Sequence, residues 1–106
     1  MSTARRTNNQ DAGARLRALM SSGAFVWYTR HAEKDELPAD KIAKIDVENM
    51  LRRCIVSLIE DSGGEETWRA QGPDMDGRML TAVVVAYEDD NSIKVITGWA
   101  GRRKIR

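Results

Sequence analysis

The second half of the chain alternates strand-like segments with turn signals, and this alternation limits the folds available to it. Aliphatic, aromatic and β-branched residues are frequent in segments 55–59, 67–71, 79–87 and 93–98. The turn signals between them are Asp61-Ser62-Gly63-Gly64, Pro73-Asp74-Met75-Asp76-Gly77 and Glu88-Asp89-Asp90-Asn91. Because short turns join antiparallel strands, the pattern predicts an antiparallel meander. The apolar run 82–86 predicts a central strand that is covered on both faces.

The first half of the chain carries helical signals in place of this alternation. Asp11 is placed to cap a first helix, and Ser21-Ser22-Gly23 is placed to end it. Aromatic and β-branched residues fill 24–29 and predict a strand, whereas the polar segment 30–36 predicts a short helix or turn. Pro38 disfavours the α conformation at the residue before it, and a second helix, capped by Asp40, is predicted to run to about residue 53.

Helices followed by an antiparallel sheet predict an α+β fold. We expect one or two N-terminal helices packed on a mostly antiparallel four- to five-stranded sheet. A chain of 106 residues has the length of one domain. We predict a disordered basic arm over residues 1–10, a single α+β domain over 11–100 and a basic C-terminal tail over 101–106.

The formal net charge of +1 conceals an uneven distribution of charge along the chain. Residues 1–30 carry five arginines against one aspartate, and residues 101–106 carry four basic residues. The segment between them holds eight basic and fifteen acidic residues. Basic ends on an acidic middle indicate an anionic partner that the ends contact, or else arginines that are solvated and idle.

Cysteine usage and apolar run lengths indicate a cytoplasmic protein. Cys54 is the only cysteine, so the chain forms no internal disulfide, and its apolar neighbours predict a buried structural thiol. No apolar run approaches the roughly 20 residues of a membrane span. The sequence predicts neither a metal site nor a cofactor. Asp74-Met75-Asp76-Gly77 lacks the glycine and glutamate positions of a calcium loop and predicts a hairpin turn.

Three residues carry the chemistry expected of a phosphodiester-cleaving site. His31 is the only histidine, and imidazole is the side chain best suited to proton transfer near neutral pH. Arg69 and Arg78 lie on or beside adjacent predicted strands, and the guanidinium fork matches a phosphate. The alternative is that His31 is an idle surface residue and that Arg69 pairs with Glu65, Glu66 or Glu88 across the sheet.

Further basic and aromatic residues are candidates for RNA contact, since bases stack on aromatic rings and phosphates pair with cations. Trp27 and Trp68 are instead expected in the core because of their bulk. A basic tail of this kind also suits contact with acidic residues of a neighbouring chain. The predicted RNA-binding residues are Arg30, Lys34, Trp99, Arg102, Arg103 and Lys104.

Several short motifs follow one another in a characteristic order between about residues 25 and 100. They are His31-Ala32, Asp46-Val47-Glu48-Asn49-Met50-Leu51, Ile59-Glu60, Trp68-Arg69-Ala70-Gln71-Gly72, Asp76-Gly77-Arg78-Met79-Leu80 and Val95-Ile96-Thr97-Gly98-Trp99. In this order the chain resembles an uncharacterised family of small bacterial domains. That family is grouped with RelE/ParE- and BrnT-type toxins, in the superfamily of barnase-like and colicin-like ribonucleases.

The resemblance implies metal-independent RNA cleavage, often by the toxin of a toxin–antitoxin pair. It places the catalytic groups at His31, Arg69 and Arg78, with RNA and an antitoxin protein as partners. Because the middle of the chain is acidic, a non-catalytic protein-binding module of the same fold is the alternative. A homodimer, in which basic arms contact the acidic body of the partner copy, is a further alternative.

Overall fold

A computed structural model describes residues 7–101 of this chain, and within that range three helices precede or interrupt a five-stranded sheet. The helices are α1 (Asn9–Ser21), α2 (Leu37–Ala39) and α3 (Lys44–Leu51), with a π-helical turn over Ala32–Glu36 directly before α2. The strands are β1 (Phe25–Tyr28), β2 (Ile55–Ser62), β3 (Glu65–Pro73), β4 (Met79–Tyr87) and β5 (Ser92–Ala100). The predicted α+β class, with an N-terminal helix packed on a mostly antiparallel sheet, is confirmed.

The spatial order of the strands is β1-β5-β4-β3-β2. Strands β2 to β5 form the predicted antiparallel meander, and β4 is the central strand. Strand β1 adds to β5 in parallel, with Tyr28 opposite Val95. Strands β1, β3 and β5 therefore run in one direction, and they end at the same end of the sheet, where β2 and β4 begin.

The helices pack on one face of the sheet and bury an apolar cluster against it. Helix α1 packs on β2, helix α3 on β3 and β4, and the π-helical turn with α2 on β5. Because successive side chains of a strand point to opposite faces, about every second strand residue belongs to this cluster. The largest side chains that are fully buried there are Leu16, Met50, Leu51, Leu80, Ile93, Val47, Val84 and Val95, and the Trp68 ring, 3% exposed, packs among them.

The opposite face of the sheet is turned away from the three helices, and we call it the open face. Strand register assigns its residues, since alternate side chains of each strand point to it. Its centre is well covered by its own side chains: Thr81 is 2% and Val85 is 3% exposed. The open face includes Phe25, Trp27, Ile55, Leu58, Glu65, Thr67, Arg69, Gln71, Met79, Thr81, Val83, Val85, Tyr87, Ser92, Lys94, Thr97 and Trp99.

Two expected helix caps are used differently in the structure. Helix α1 begins at Asn9, and the side chain of Asn8 caps it by accepting a hydrogen bond from the amide of Asp11 at 2.8 Å. Helix α3 begins at Lys44 with Ala43 as its cap, three residues later than expected. Asp40 does not cap it, because its carboxylate accepts a hydrogen bond from the amide of Ala100 at 2.9 Å.

The expected effect of Pro38 is also wrong. Leu37 has α-helical backbone angles, with φ of −67° and ψ of −45°. Pro38 lies in the first turn of α2, where a missing amide hydrogen costs no helical hydrogen bond. Leu37 thus begins a helical turn that directly follows the π-helical turn, and Pro38 lies within this turn.

The predicted basic arm and tail lie largely outside the described residues, since the structure describes 7–101 only. Arg102, Arg103 and Lys104 fall in that outer part, and their predicted RNA contact stays a prediction. Of the helices in residues 7–101, none has both the length and the apolarity needed to span a bilayer.

Candidate functional site

Arg78 is bound by acceptors from two separate loops. Its Nε donates to Asp74 Oδ2 at 2.8 Å, while Nη1 and Nη2 donate to the backbone carbonyls of Asp40 at 2.8 Å and Lys41 at 3.3 Å. Asp74 also accepts hydrogen bonds from the amides of Asp76 and Arg78, which closes the predicted hairpin turn. These contacts connect the β3–β4 turn to the loop between α2 and α3, and they occupy the guanidinium of Arg78.

The Arg78 guanidinium also controls the ionisation of its partner. Its hydrogen bond lowers the pKa of Asp74 below the ordinary value of 3.8, and the two amide donors act in the same direction. The side chain of Asp74 is only 2% exposed. A buried carboxylate with three donors is a structural element of the turn, so Arg78 has a clear role in stability.

His31 lies at the start of the π-helical turn, with its side chain 60% exposed. Its Nδ1 is 3.3 Å from Asp35 Oδ2, and its Nε2 is 2.9 Å from Glu36 Oε2. Both ring nitrogens thus face carboxylates, and a substrate hydroxyl has to displace one of them to reach the ring. Arg30 and Lys34, the predicted RNA-binding neighbours of His31, are exposed on the same segment.

Arg69 lies near the middle of β3 on the open face. Its guanidinium carbon is 5.7 Å from the centroid of the Trp99 ring, a cation–π distance. Its Nε atom is buried and has no hydrogen-bond partner among the described residues. The alternative pairing of Arg69 with Glu65, Glu66 or Glu88 is absent among the described contacts. Glu88 contacts Arg15, Glu66 contacts the Trp68 indole, and Glu65 contacts Tyr87 and Lys94.

No described contact joins any two of the three predicted catalytic residues. Strands β1 and β3, which lead to His31 and carry Arg69, are separated by β5 and β4. At the usual interstrand spacing their backbones lie about 14 Å apart. Arg78 is held in the turn before β4, away from the open face. The catalytic role of His31, Arg69 and Arg78 therefore stays a prediction, and Arg69 is the one whose side chain belongs to the open face.

A second cation–aromatic group lies on the open face, at the other end of β5. The rings of Trp27 and Tyr87 stack with centroids 6.3 Å apart and planes 16° from parallel. Lys94 Nζ lies 5.6 Å from the Trp27 centroid and 5.8 Å from the Tyr87 centroid. Glu65 completes the group by accepting a hydrogen bond from the Tyr87 hydroxyl at 2.8 Å, and it lies 3.9 Å from Lys94.

This second group was not found from the sequence. Trp27 was expected in the core and is instead 38% exposed, whereas Trp68, at 3% exposed, is in the core as expected. The available signal was the period of two in β1. Val26 and Tyr28 pack against the core, so Phe25 and Trp27 must point to the opposite face.

Cys54 has the structural role expected from the sequence. The residue is fully buried, and burial raises the pKa of its thiol to about 11. A thiol in this state is protonated near neutral pH and is a poor nucleophile. Cys54 therefore contributes to the core and not to the candidate site.

Together the open-face side chains present aromatic rings interleaved with cations. Such a surface offers π-faces to planar groups and positive charge to anions. At the rims of the same face Phe25 is 69% and Ile55 is 61% exposed. The candidate functional site is therefore the open face, with Arg69 and Trp99 towards one end of β5 and Lys94, Trp27 and Tyr87 towards the other.

Comparison with known proteins adds no relative to this description. No protein-family model matches the chain, and neither a curated protein nor a solved structure matches it significantly.

Proposed function

We propose that this domain binds single-stranded RNA along the open face of its sheet. The observation that carries the proposal is the pairing of cations with aromatic rings at two places along β5: Arg69 with Trp99, and Lys94 with Trp27 and Tyr87. Stacking on aromatic side chains needs unpaired bases, and cations beside the rings neutralise the phosphates between those bases.

The length of the open face suits several nucleotides. Lys94 and Trp99 are five residues apart on β5, which corresponds to about 16 Å of strand. Stacked bases repeat about every 3.4 Å along a nucleic-acid strand. One RNA strand can therefore contact both cation–aromatic groups while the nucleotides between them cross Val83 and Thr97.

The charge distribution supports the same placement. Fifteen acidic residues in segment 31–100 repel RNA from much of the domain surface. On the open face, Arg69 and Lys94 meet the strand beside aromatic rings, and the sequence attaches the basic tail at the end of β5. We also propose a reducing, cytoplasmic location, in which the free thiol of Cys54 persists.

A fluorescence-anisotropy titration with single-stranded RNA tests this proposal. Arg69→Gln removes one cation from the open face, and Arg52→Gln removes one from the end of α3 as the matched control. We expect a loss of affinity of about ten- to a hundredfold for Arg69→Gln, because a charge-assisted phosphate contact contributes roughly 1.5–3 kcal/mol. The control is expected to bind like the wild type. No binding by the wild type, or equal losses in both variants, contradicts the proposal.

Metal-independent cleavage of the bound RNA, the activity implied by the family resemblance, is a second proposal. The observation in its favour is Arg69, which holds an unpartnered Nε on the RNA-binding face. In this proposal His31 removes the proton of a ribose 2′-hydroxyl, and the 2′-oxygen forms a bond to phosphorus. The bond from phosphorus to the 5′-oxygen breaks, the leaving oxygen takes a proton from solvent, and arginine stabilises the phosphorane.

Cleavage is tested by incubating RNA with the purified protein in the presence of a chelator. The proposal expects cleavage by the wild type and a loss of about a hundredfold or more in His31→Ala, the range of general-base catalysis. Equal rates in both proteins, or intact RNA with the wild type, contradict a catalytic His31. Because binding is measured separately, loss of cleavage leaves the RNA-binding proposal standing.

A protein partner, such as an antitoxin or a second copy of this chain, is the remaining alternative. The exposed side chains of Phe25 and Ile55 at the rims of the open face favour it. Sedimentation of the purified protein at low and high salt distinguishes a homodimer from a monomer that binds RNA. A salt-sensitive dimer without RNA affinity supports the protein interface, and a monomer at both salt concentrations removes the homodimer.

A further inference from the structure

Strands β1 and β2 form the two edges of the sheet, and the β2 edge is protected by its surroundings. Asn9 Nδ2 donates to the carbonyl of Ser57 at 3.2 Å. Arg17 Nη1 donates at 2.7 Å to the carbonyl of Cys54, the residue before β2. The register of β2 is irregular at Ser57, and Glu60 adds a charge to the strand. Irregular register and charged side chains protect an edge strand from pairing with another chain.

The β1 edge has unpaired backbone groups. The amide of Phe25 donates to the carbonyl of Asn91 at 2.9 Å, at the start of the parallel ladder to β5. Alternate residues of a strand bond to the same neighbouring strand, so the peptide groups of Val26 and Tyr28 point away from β5. Within residues 7–101, no contact outside the ladder occupies the amide of Val26 or Tyr28. Strand β1 therefore offers hydrogen bonds to a further strand.

The side chains of β1 are uncharged and partly exposed. Phe25 is 69% and Trp27 is 38% exposed, and both rings lie on the open face. On the opposite side, a groove of about 460 Å³ runs beside the strand and has Val26 in its lining. An added strand can thus place alternate side chains against the two rings and in this groove.

A second copy of β1, placed antiparallel with Val26 opposite Val26, matches this edge. The two Val26 residues then exchange both of their backbone hydrogen bonds, and the amide of Tyr28 meets the carbonyl of Ala24 in the second copy. Phe25 lies opposite Trp27 of the second copy, and symmetry forms this aromatic pair twice. Aromatic pairs between antiparallel strands stabilise their association.

Charges at the two ends of β1 are complementary in the same arrangement. Arg30 follows the end of β1, whereas Asp89 lies near its beginning, in the turn Glu88–Asp90 that leads through Asn91 to β5. Both residues are exposed, and neither forms an ion pair within residues 7–101. Antiparallel pairing brings the end of one β1 to the beginning of the other, so Arg30 lies on the side of Asp89 of the second copy. This complementarity favours a second copy over an unrelated strand.

We propose that β1 is the contact surface of a two-fold homodimer, in which the sheets of two copies join into one continuous sheet. The open faces of both copies then lie on the same side, and Phe25 of each copy lies beside Trp27 of the other. The pairing of four-residue strands is short, so the dimer is weak and forms as the protein concentration rises. This interface is independent of RNA binding.

Sedimentation equilibrium of the full chain without RNA, over a series of protein concentrations, tests the proposal. The average mass of the wild type is expected to rise from one chain towards two. Phe25→Glu removes both aromatic pairs and places a carboxylate in the contact, so it is expected to raise the dimer dissociation constant about tenfold or more. Ile55→Glu makes the same change at a residue of β2 that is 61% exposed. This matched control leaves the constant unchanged.

Two further measurements test the register. Arg30→Asp is expected to raise the dissociation constant about threefold or more, because a like charge then faces Asp89 of the second copy. Combining Arg30→Asp with Asp89→Arg restores opposite charges and the wild-type constant. The amides of Val26 and Tyr28 are expected to exchange with solvent more slowly as the protein concentration rises, since they gain acceptors in the dimer.

Three results overturn the β1 interface. The first is a monomer at every concentration. The second is a dimer that Phe25→Glu and Ile55→Glu weaken equally, which uses another surface. The third is a dimer in which the exchange of the Val26 and Tyr28 amides stays as in the monomer. Because these measurements contain no RNA, a protein that binds RNA as a monomer contradicts the dimer and leaves the RNA-binding proposal standing.

Discussion

At the scale of single residues, the pair of Arg78 and Asp74 shows how one ionic contact holds two loops in place. Asp74 accepts three hydrogen bonds within the β3–β4 turn, and Arg78 carries the contact onward to Asp40 and Lys41. Arginine–carboxylate geometry serves phosphate binding and loop anchoring equally well. The sequence identifies the residue type at position 78, but it does not show that carbonyls distant in sequence occupy the guanidinium.

The lowered pKa of Asp74 predicts acid sensitivity of the fold. In the folded chain the carboxylate stays charged below its ordinary pKa of 3.8, so its contribution to stability is complete above that pH. This contribution is lost as the pH falls through the lowered value. We expect Asp74→Asn to be less stable than the wild type at neutral pH and to show a shallower loss on acidification, in urea unfolding curves from neutral to acidic pH.

The matched control for Asp74 is Asp90→Asn, which changes an exposed carboxylate in the turn before β5. Its unfolding curves are expected to follow those of the wild type. Parallel pH profiles for the wild type and Asp74→Asn contradict a stabilising role of the Asp74 charge.

At the scale of elements, strand β5 depends on a glycine where the π-helical turn and α2 approach the sheet. A Cβ added at Gly98 lies 3.0 Å from Leu37 Cδ2 and 3.1 Å from the carbonyl oxygen of Thr81. The carbonyl belongs to the neighbouring strand β4 and has little freedom to move. Gly98 therefore lets Leu37, which is 2% exposed, reach the core.

Gly98→Ala is expected to lower the free energy of unfolding by about 1–3 kcal/mol, the usual cost of overpacking. The measurement is equilibrium unfolding in urea. Thr97→Ala changes the adjacent residue on the open face and serves as the comparison, with a smaller expected loss. Equal stability of Gly98→Ala and the wild type contradicts the close packing of α2 on β5.

The elements that were predicted well depend on local signals. The period of two and the Asp/Gly-rich turns determined β2 to β5 because both signals act between neighbouring residues. The start of α3 was predicted too early because Asp40 bonds to Ala100, sixty residues away. Trp27 was assigned to the core because of its bulk. The size of a side chain does not indicate which face of β1 packs against the helices. The start of α3 and the exposure of Trp27 thus depend on contacts between residues distant in sequence, which the local pattern does not contain.

At the scale of the whole molecule, the face proposed to bind RNA belongs to a domain whose segment 31–100 carries fifteen acidic and eight basic residues. Arg15 pairs with Glu88 and lies 5.2 Å from the Trp68 ring, so this basic residue of α1 is used within the fold. On the open face, Lys94 lies 3.9 Å from Glu65, whereas Arg69 has no carboxylate partner among the described residues. The proposal therefore confines RNA contact to one side of the domain.

Binding through these cations is expected to weaken steeply with salt. Each phosphate neutralised on a single strand contributes roughly −0.7 to the slope of log affinity against log salt concentration. Lys94→Gln is therefore expected to make that slope shallower by about 0.7, whereas Arg52→Gln, at the end of α3, leaves the slope as in the wild type. If the affinity for RNA stays the same from low to high salt, these cations do not neutralise phosphates, and a protein partner is the better interpretation of the open face.

The three tryptophan indole N–H signals give the most direct test of RNA binding to the open face. Trp27 and Trp99 lie on that face, while Trp68 is 3% exposed in the core and donates to Glu66. Titration of the nitrogen-labelled protein with single-stranded RNA is predicted to shift the Trp27 and Trp99 signals and to leave the Trp68 signal in place. Saturating RNA that leaves Trp27 and Trp99 unshifted, or that moves Trp68 alone, contradicts RNA binding to the open face.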